Sequence, residues 1–183
     1  MNNIKIKRLK QDDIISVNEF LRYVISDTFE KDGIGYLKDE IADEVEEKKR
    51  YLVSDIESMG KDHFFLIAKD ASKVIGTIEY SPNDKFISSC TNGKLNGIAK
   101  VGTIYIHPDY QRMGLGSRLI KLILLELDKK NINEFCLDSG FKSAQKIWFK
   151  MFGKPEYHLK DFWNEGGDHM IWRNKTKEVL TEL

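Results

Sequence analysis

The chain begins with apolar and charged residues in alternation and then changes to a helical spacing. Ile4 and Ile6 alternate with lysines, which predicts an amphipathic first strand. Apolar residues from Ile14 to Ile25 then recur at the spacing of one helix face. Asp12-Asp13 stands where a helix N-cap is expected, and Asp32-Gly33 interrupts the pattern. We therefore predict a strand followed by a helix.

A second helix, a hairpin and a long polar connection follow. The apolar residues between Tyr36 and Ile56 predict a helix whose many charges form a solvated face. The runs His63–Ala68 and Lys73–Tyr80 are apolar and rich in β-branched or aromatic residues, and they flank a polar turn, so they predict a β-hairpin. The stretch between Ser81 and Gly97 is too long for a tight turn and is either disordered or functional.

The second half of the chain has a strand-loop-helix-strand order. Val101–Ile106 predicts a strand that ends before His107-Pro108, since proline cannot continue the ladder. A glycine-containing loop leads into a helix that we place from about Ser117, and Phe135–Leu137 predicts a short buried strand. A further helix around 144–151 and a closing hairpin within 157–173 complete the pattern.

The composition favours one domain spanning residues 1–183. A chain of this length can bury about 70% of its extended surface without a disulfide or a structural metal. Cys136 lies in an apolar run and Cys90 in a polar one, and we expect no disulfide between them because nothing else suggests secretion. No spacing of His, Cys, Asp and Glu argues for a metal site.

Charge and hydropathy exclude several classes of partner. The 29 acidic and 29 basic residues leave no overall basic bias for a nucleic-acid backbone. Residues 1–7 alternate instead of forming the apolar stretch of a signal peptide, and no window approaches the roughly eighteen apolar residues of a membrane span. We expect a soluble, cytoplasmic protein with no nucleic-acid or membrane partner.

The loop before the predicted helix carries the strongest chemical signal. It reads Gln111-Arg112-Met113-Gly114-Leu115-Gly116-Ser117. A helix N-terminus has free N–H groups and partial positive charge, so it suits a phosphate or pyrophosphate. Gly114 and Gly116 would let the backbone approach the anion, and Arg112 adds a cation.

The spacing of residues in this loop excludes two other phosphate-binding motifs. No lysine precedes Ser117, as a Walker loop requires, and Leu119 stands where a dinucleotide fingerprint needs its third glycine. The remaining alternative is a glycine-containing turn that only joins a strand to a helix.

The segment from Val101 to Ser117 resembles motif A of the GNAT superfamily of N-acyltransferases, with Gln111, Gly114 and Gly116 at the signature positions. The resemblance implies an α/β (α+β) fold, with a mixed, mainly antiparallel central sheet of about seven strands, flanked by helices and splayed between two central strands. It also implies that the loop binds the pyrophosphate of acetyl-CoA and that the backbone of Ile104 and Ile106 meets the pantetheine arm. The implied cofactor-binding residues are Ile104, Ile106, Gln111, Arg112, Met113, Gly114, Leu115, Gly116 and Ser117.

Two positions depart from the family pattern. Lys100 stands where many relatives have a glutamate base, and we interpret it as a surface residue at a strand start, with a catalytic amine as the alternative. Trp148 replaces a tyrosine acid, and an indole N–H is too weak an acid for that role. The catalytic candidates are therefore Glu79, Tyr157 and His169, with Asp84, Asp168 and Tyr105 as further options for the proton transfers.

The C-terminal tail resembles the acceptor side of GNAT clefts. Asp161, Glu165 and Asp168 are suited to attract a cationic amine, and Trp163 to stack on it, while the plain alternative is a hairpin with a solvated turn. The expected activity is transfer of an acetyl group from acetyl-CoA to a primary amine in a ternary complex; a non-catalytic acyl-CoA-binding domain is the alternative. The acceptor, the acyl length and the oligomeric state stay open, with a homodimer as one option.

Overall fold

The computed structural model describes residues 4–183, so Met1–Asn3 of the N-terminal segment lie outside the described residues. Seven strands are present in this range. They are β1 (Ile4–Arg8), β2 (Phe64–Asp70), β3 (Lys73–Ser81), β4 (Ala99–Ile106), β5 (Glu134–Ser139), β6 (Tyr157–Leu159) and β7 (His169–Lys175). The helices are α1 (Ile14–Lys31), α2 (Lys38–Glu57), α3 (Lys85–Cys90), α4 (Leu115–Lys129), α5 (Lys142–Phe152) and α6 (Thr176–Glu182).

The strands form one sheet in the order β1-β2-β3-β4-β5-β7-β6. The pairs β1–β2, β2–β3, β5–β7 and β6–β7 are antiparallel, and β4–β5 is parallel. Within residues 4–183, the register between β4 and β5 consists of Ala99↔Phe135 and Lys100↔Cys136 at the start of both strands. The predicted mixed, mainly antiparallel sheet of about seven strands with flanking helices is confirmed.

The described residues divide into two compact units. The first contains the chain up to Ser81 together with Thr103–Ile123, and the second contains Pro82–Gly102 and Leu124–Leu183. Strand β4 contributes its first half to the second unit and its second half to the first. The single domain 1–183 stays a prediction.

Four local features differ from the sequence-based expectation. Asp13 does not cap α1 through its side chain, because its buried carboxylate pairs with Lys7 and Lys69. The polar connection after β3 is not disordered: it contains α3, whose first turn is capped by the carboxylate of Asp84 at 2.8 Å from the Ile87 nitrogen. Helix α4 begins at Leu115, earlier than predicted, and α6 had no predicted counterpart.

Both cysteines are free, as expected. Cys136 is fully buried, and burial raises the pKa of its thiol to about 12. Within residues 4–183, no helix combines the length and the hydropathy that crossing a membrane would need.

Candidate active site

In the first unit, short contacts anchor the connection between β4 and α4. The backbone N–H of His107 donates to the Ile75 carbonyl at 2.9 Å, and the His107 ring accepts the Asp109 N–H at 3.3 Å. The Gln111 side chain donates to the Ile106 carbonyl at 3.1 Å and closes the loop onto the end of the strand. Gln111 therefore holds the loop in place, a structural role that adds to its place in the motif.

Helix α4 is seated closely on β3 at Gly76. A Cβ on Gly76 would stand 3.1 Å from the side chains of both Ile106 and Leu119, a separation at which a neighbour has to move. Leu115 is buried at the first position of α4. The start of the helix is thus fixed by packing, while the loop in front of it is exposed.

The start of α4 presents free backbone donors. The first backbone hydrogen bond of the helix runs from the Arg118 N–H to the Gly114 carbonyl, at 3.1 Å. The amides of Leu115, Gly116 and Ser117 precede it and have no acceptor among the described residues. Gly114 has φ +76°, a conformation that residues with a Cβ resist, and nothing stands within 4 Å of the place where its Cβ would be. This arrangement suits an anion, and we call residues 111–117 the candidate anion-binding turn.

The first unit also holds an interruption in the middle of β4. Thr103 has φ 49°, which is uncommon for a residue with a Cβ and costs about 1–2 kcal/mol. Its carbonyl accepts the Thr77 hydroxyl at 2.9 Å, and its own hydroxyl lies 3.4 Å from Glu79 Oε1. Backbone in sparsely populated conformations is concentrated at functional sites.

Glu79 and His63 form a hydrogen-bonded pair beside Thr103. Glu79 is 2% exposed, and its Oε2 lies 3.2 Å from His63 Nδ1. The imidazole ring stacks on Tyr51 of α2 with ring centroids 4.2 Å apart. Glu79 is therefore paired with His63, the residue directly before β2. His63 was not among the site residues predicted from the sequence.

The neighbouring tyrosine of β4 is a poor source of protons. The Tyr105 hydroxyl donates to Glu44 of α2 at 3.0 Å. Burial and then the Glu44 charge raise the pKa of Tyr105 well above its ordinary value. The hydroxyl therefore keeps its proton, which weakens the option that Tyr105 acts as an acid.

In the second unit, Lys100 lies between two carboxylates. Its Nζ is 2.7 Å from Asp84 and 3.0 Å from Asp138. Burial alone would lower the pKa of Lys100, but the charges of Asp138 and Asp84 raise it well above the ordinary value. The interpretation of Lys100 as a surface residue is wrong, because its side chain is 17% exposed and its charge is neutralised inside the fold.

Asp138 also receives a hydrogen bond from His169. Burial would raise the pKa of Asp138, but Lys100 and His169 hold it well below the ordinary range. His169 Nε2 lies 3.0 Å from Asp138 Oδ2, and the Trp163 indole nitrogen lies 3.2 Å from His169 Nδ1. An indole N–H can only donate, so His169 Nδ1 accepts and Nε2 carries the hydrogen given to Asp138. Both ring nitrogens of His169 are therefore occupied.

Two acidic side chains of the turn between β6 and β7 accept hydrogen bonds from backbone N–H groups of the turn itself. The Asp161 carboxylate accepts the Gly166 N–H at 2.6 Å, and Asp168 accepts the Asp161 N–H at 3.0 Å. Glu165 is exposed, and Trp163 is 57% exposed while its indole N–H is bonded to His169. Of the predicted acceptor-side residues, Glu165 and the Trp163 ring remain available to a partner.

Comparison with known proteins fits this geometry. The family model described as Acetyltransferase (GNAT) family matches residues 34–154. The chain belongs to the GNAT acetyltransferase family. No functionally curated protein matches the chain at a significant level of sequence similarity.

Solved structures share the GNAT fold at low sequence identity. The PaiA N-acetyltransferase of Thermoplasma acidophilum, solved with coenzyme A, is 22% identical, has a TM-score of 0.67, and aligns over 94% of this chain and 98% of its own. YncA of Salmonella typhimurium, solved with its cofactor acetyl-CoA, is 13% identical and has a TM-score of 0.67. It aligns over 95% of this chain and 94% of its own. A spermidine N-acetyltransferase SpeG chimera from Vibrio cholerae and hSSAT is 15% identical, with a TM-score of 0.63 and coverage of 97% and 98%.

The GNAT segment includes some catalytic candidates and not others. The matched residues 34–154 contain Glu79 and the whole loop, while Tyr157 and His169 follow them. Tyr157 pairs with Ile171 at the edge of the sheet, and burial raises the pKa of its phenol. Trp148, at the GNAT tyrosine position, is 7% exposed and stacks on Phe152 at 6.0 Å, as a core residue does.

Proposed function

We propose that this GNAT protein transfers an acetyl group from acetyl-CoA to a primary amine by direct attack within a ternary complex. The observation that carries the proposal is the start of α4. There the amides of Leu115, Gly116 and Ser117 have no acceptor among residues 4–183, directly after a glycine with φ +76°. Such a turn suits a diphosphate, and the acyl-CoA of a GNAT reaction carries one.

In this proposal the loop and the second half of β4 hold the cofactor. The backbone from Met113 to Ser117 binds the pyrophosphate, with Arg112 as an exposed counter-charge. The backbone groups of Ile104 and Ile106 pair with the pantetheine arm. The Ile106 carbonyl already accepts the Gln111 side chain, so its second lone pair is the one left for the arm.

The choice of acetyl donor and amine acceptor is supported by structural neighbours. YncA was solved with acetyl-CoA and PaiA with coenzyme A, and the SpeG chimera is a spermidine N-acetyltransferase. A positioned pair of reactants can account for much of the acceleration, because it replaces a bimolecular encounter with a local attack.

The reaction also needs a group that accepts a proton. An alkylamine has a pKa of about 10, so it is almost wholly protonated at neutral pH and cannot attack a thioester. Among the candidates, His169 has both nitrogens occupied. A raised pKa makes Tyr157 a weak acid. Glu79, already paired with an imidazole, is the carboxylate that best supports proton transfer.

A direct experiment combines binding and turnover. Calorimetric titration with acetyl-CoA should show one binding event per chain, and addition of an amine panel should release CoA above the rate of hydrolysis. Release of CoA that depends on both substrates supports the proposal. Absence of both binding and release would remove it.

A second candidate is a non-catalytic acyl-CoA-binding domain. It is favoured by Lys100, which is locked between Asp84 and Asp138 at the position of the usual GNAT glutamate. It is also favoured by the burial of Trp148 at the position of the usual tyrosine. Tight binding of acetyl-CoA without CoA release across the amine panel would select this function over the first.

A further inference from the structure

We propose that His63 is the general base of this protein and that Glu79 is the residue that positions it. The inference rests on the proposed amine acetylation and names the group that receives the proton. It comes from the pairing of a partly exposed imidazole with an almost fully buried carboxylate.

Exposure decides which member of the pair reaches a substrate. The His63 side chain is 17% exposed, whereas that of Glu79 is 2% exposed. Both Glu79 oxygens face protein groups, because Oε2 meets the His63 ring and Oε1 meets the Thr103 hydroxyl. A general base must come within hydrogen-bond reach of its proton, directly or through one water. His63 is the member of the pair that a substrate or a water can reach, and Glu79 acts through it.

The hydrogen-bond pattern leaves one nitrogen of His63 ready to accept. An ionised carboxylate can only accept, so Nδ1 carries the hydrogen directed at Glu79. The Nε2 lone pair has no donor within residues 4–183, and stacking on Tyr51 fixes the plane of the ring. A carboxylate behind an imidazole holds the tautomer and stabilises the imidazolium that forms on proton transfer.

The charged surroundings include one opposing group. Besides Glu79 on β3, the ring faces Tyr51 on α2, and Lys48 Nζ of α2 lies over that tyrosine ring, 4.8 Å from its centroid. Lys48 is itself paired with Glu44 and Glu47, so its charge is balanced locally. The neighbouring hydroxyl of Thr103 contacts Glu79 and carries no charge.

Acetyl transfer removes two protons from the ammonium form of the acceptor, and His63 receives the first. The ammonium form of the acceptor gives one proton to His63 Nε2, which passes it to water. The neutral amine nitrogen attacks the thioester carbonyl carbon, the C–N bond forms, and collapse of the tetrahedral intermediate breaks the C–S bond. The departing thiolate takes the second proton from nitrogen, which gives an amide, CoA thiol and one released proton.

The test uses His63→Asn, because an Asn amide can replace the Nδ1 donor to Glu79 while Nε2 is lost. We expect kcat/KM to fall about a hundredfold near pH 7. The wild-type profile should level off at a lower pH than that of the variant, because the wild type can take the proton from the ammonium form of the amine. The variant needs amine that is already deprotonated, so its kcat/KM should keep rising towards pH 9 and its defect should shrink.

Two further variants identify the role of each group. Glu79→Gln should lower kcat and shift the acidic side of the plot of kcat/KM against pH. A purely structural role of Glu79 would leave the acidic side of that plot unchanged. His158→Gln keeps the donor to Asp168 and serves as a matched control with a wild-type profile. A His63→Asn profile that also levels off at wild-type activity would overturn the inference, even though CoA release would still support the proposed function.

A measurement without turnover tests the same point. Nitrogen-detected NMR of the free protein at alkaline pH should show neutral His63 as the Nδ1–H tautomer. An Nε2–H tautomer would overturn the assignment whether or not an amine substrate has been found.

Discussion

The two units differ in how completely their polar groups are satisfied. In the second unit, Asp84, Lys100, Asp138, His169 and Trp163 form a continuous chain of hydrogen bonds and ion pairs. In the first unit, the amides at the start of α4 and Nε2 of His63 have no partner in the described part of the chain. Buried groups that are fully paired favour a defined fold, whereas groups left open at a surface can bind or react. Changes in the second unit should therefore affect stability, and changes in the first should affect binding and turnover.

The largest effect on stability should come from Lys100→Glu. This change restores the acid common in the family but places a third carboxylate beside Asp84 and Asp138. Removing one partner of a buried ion pair costs about 3–5 kcal/mol, so the free energy of unfolding should fall by about 4 kcal/mol. Urea denaturation measures it.

Lys154→Glu is the matched control, since it makes the same charge change at an exposed residue. It should alter stability by less than about 0.5 kcal/mol. Equal losses in the two variants would contradict the pairing described for Lys100.

Gly114→Val should have the largest effect on binding. The change forces a β-branched residue into φ +76° and puts a side chain where the anion is expected. Acetyl-CoA affinity should fall at least about a hundredfold, which corresponds to about 2.7 kcal/mol. Calorimetric titration gives the affinity.

Gly33→Val separates strain from binding. Gly33 has φ +77° and open space around its Cβ position, like Gly114, but it lies after α1 and outside the loop. We expect both variants to lose similar thermal stability and only Gly114→Val to lose acetyl-CoA. Equal affinity in the two would remove the loop from the cofactor site.

The pH dependence of stability should report the second unit. The pKa of Asp138 is depressed, so its contribution is present above the ordinary value of 3.8 and is lost as the pH falls below it. The pKa of Lys100 is raised, so its contribution is present below 10.5 and is lost only at higher pH. Asp138→Asn should flatten the acid side of a plot of unfolding free energy against pH. An unchanged acid slope would show that other carboxylates determine it.

The smallest effect should come from Trp163→Phe. The change removes the indole N–H from His169 Nδ1 and keeps an aromatic ring against Phe86. We expect a loss of about 1 kcal/mol or less, because one hydrogen bond is removed. NMR should then show His169 with an open Nδ1, which makes it resemble His63. If His169 keeps the Nε2–H tautomer in this variant, its hydrogen bond to Asp138 is enough to determine the tautomer.

The sequence predicted the elements better than the pairs of side chains. Periodicity located the strands and helices, and the spacing of Gly114 and Gly116 marked the loop whose amides are free at the start of α4, because both signals are local. That the loop binds an anion stays a prediction. The ion pairs of Lys100 and the contacts of His169 join residues far apart in the chain, so no local pattern reports them.

His63 is an intermediate case. In the β2–β3 hairpin, Phe65 is opposite Glu79, so His63 lies two residues before Phe65 on the same face and diagonal to the carboxylate. This register includes a shift between Ala68 and Lys69, without which Phe65 would be opposite Ile78 and Glu79 would lie on the other face. The hairpin was predictable from the sequence, but the bulge that brings Glu79 onto the face of His63 was not.

The absence of a side chain at Gly76 allows α4 to pack closely on the sheet. A methyl group there would stand 3.1 Å from the side chains of both Ile106 and Leu119, and they would have to move. The position of the candidate anion-binding turn therefore depends on a residue of β3, which lies far from the turn in the sequence. A substitution at Gly76 would displace the candidate anion-binding turn without changing any residue of the motif. An intact motif therefore does not by itself guarantee a working cofactor site.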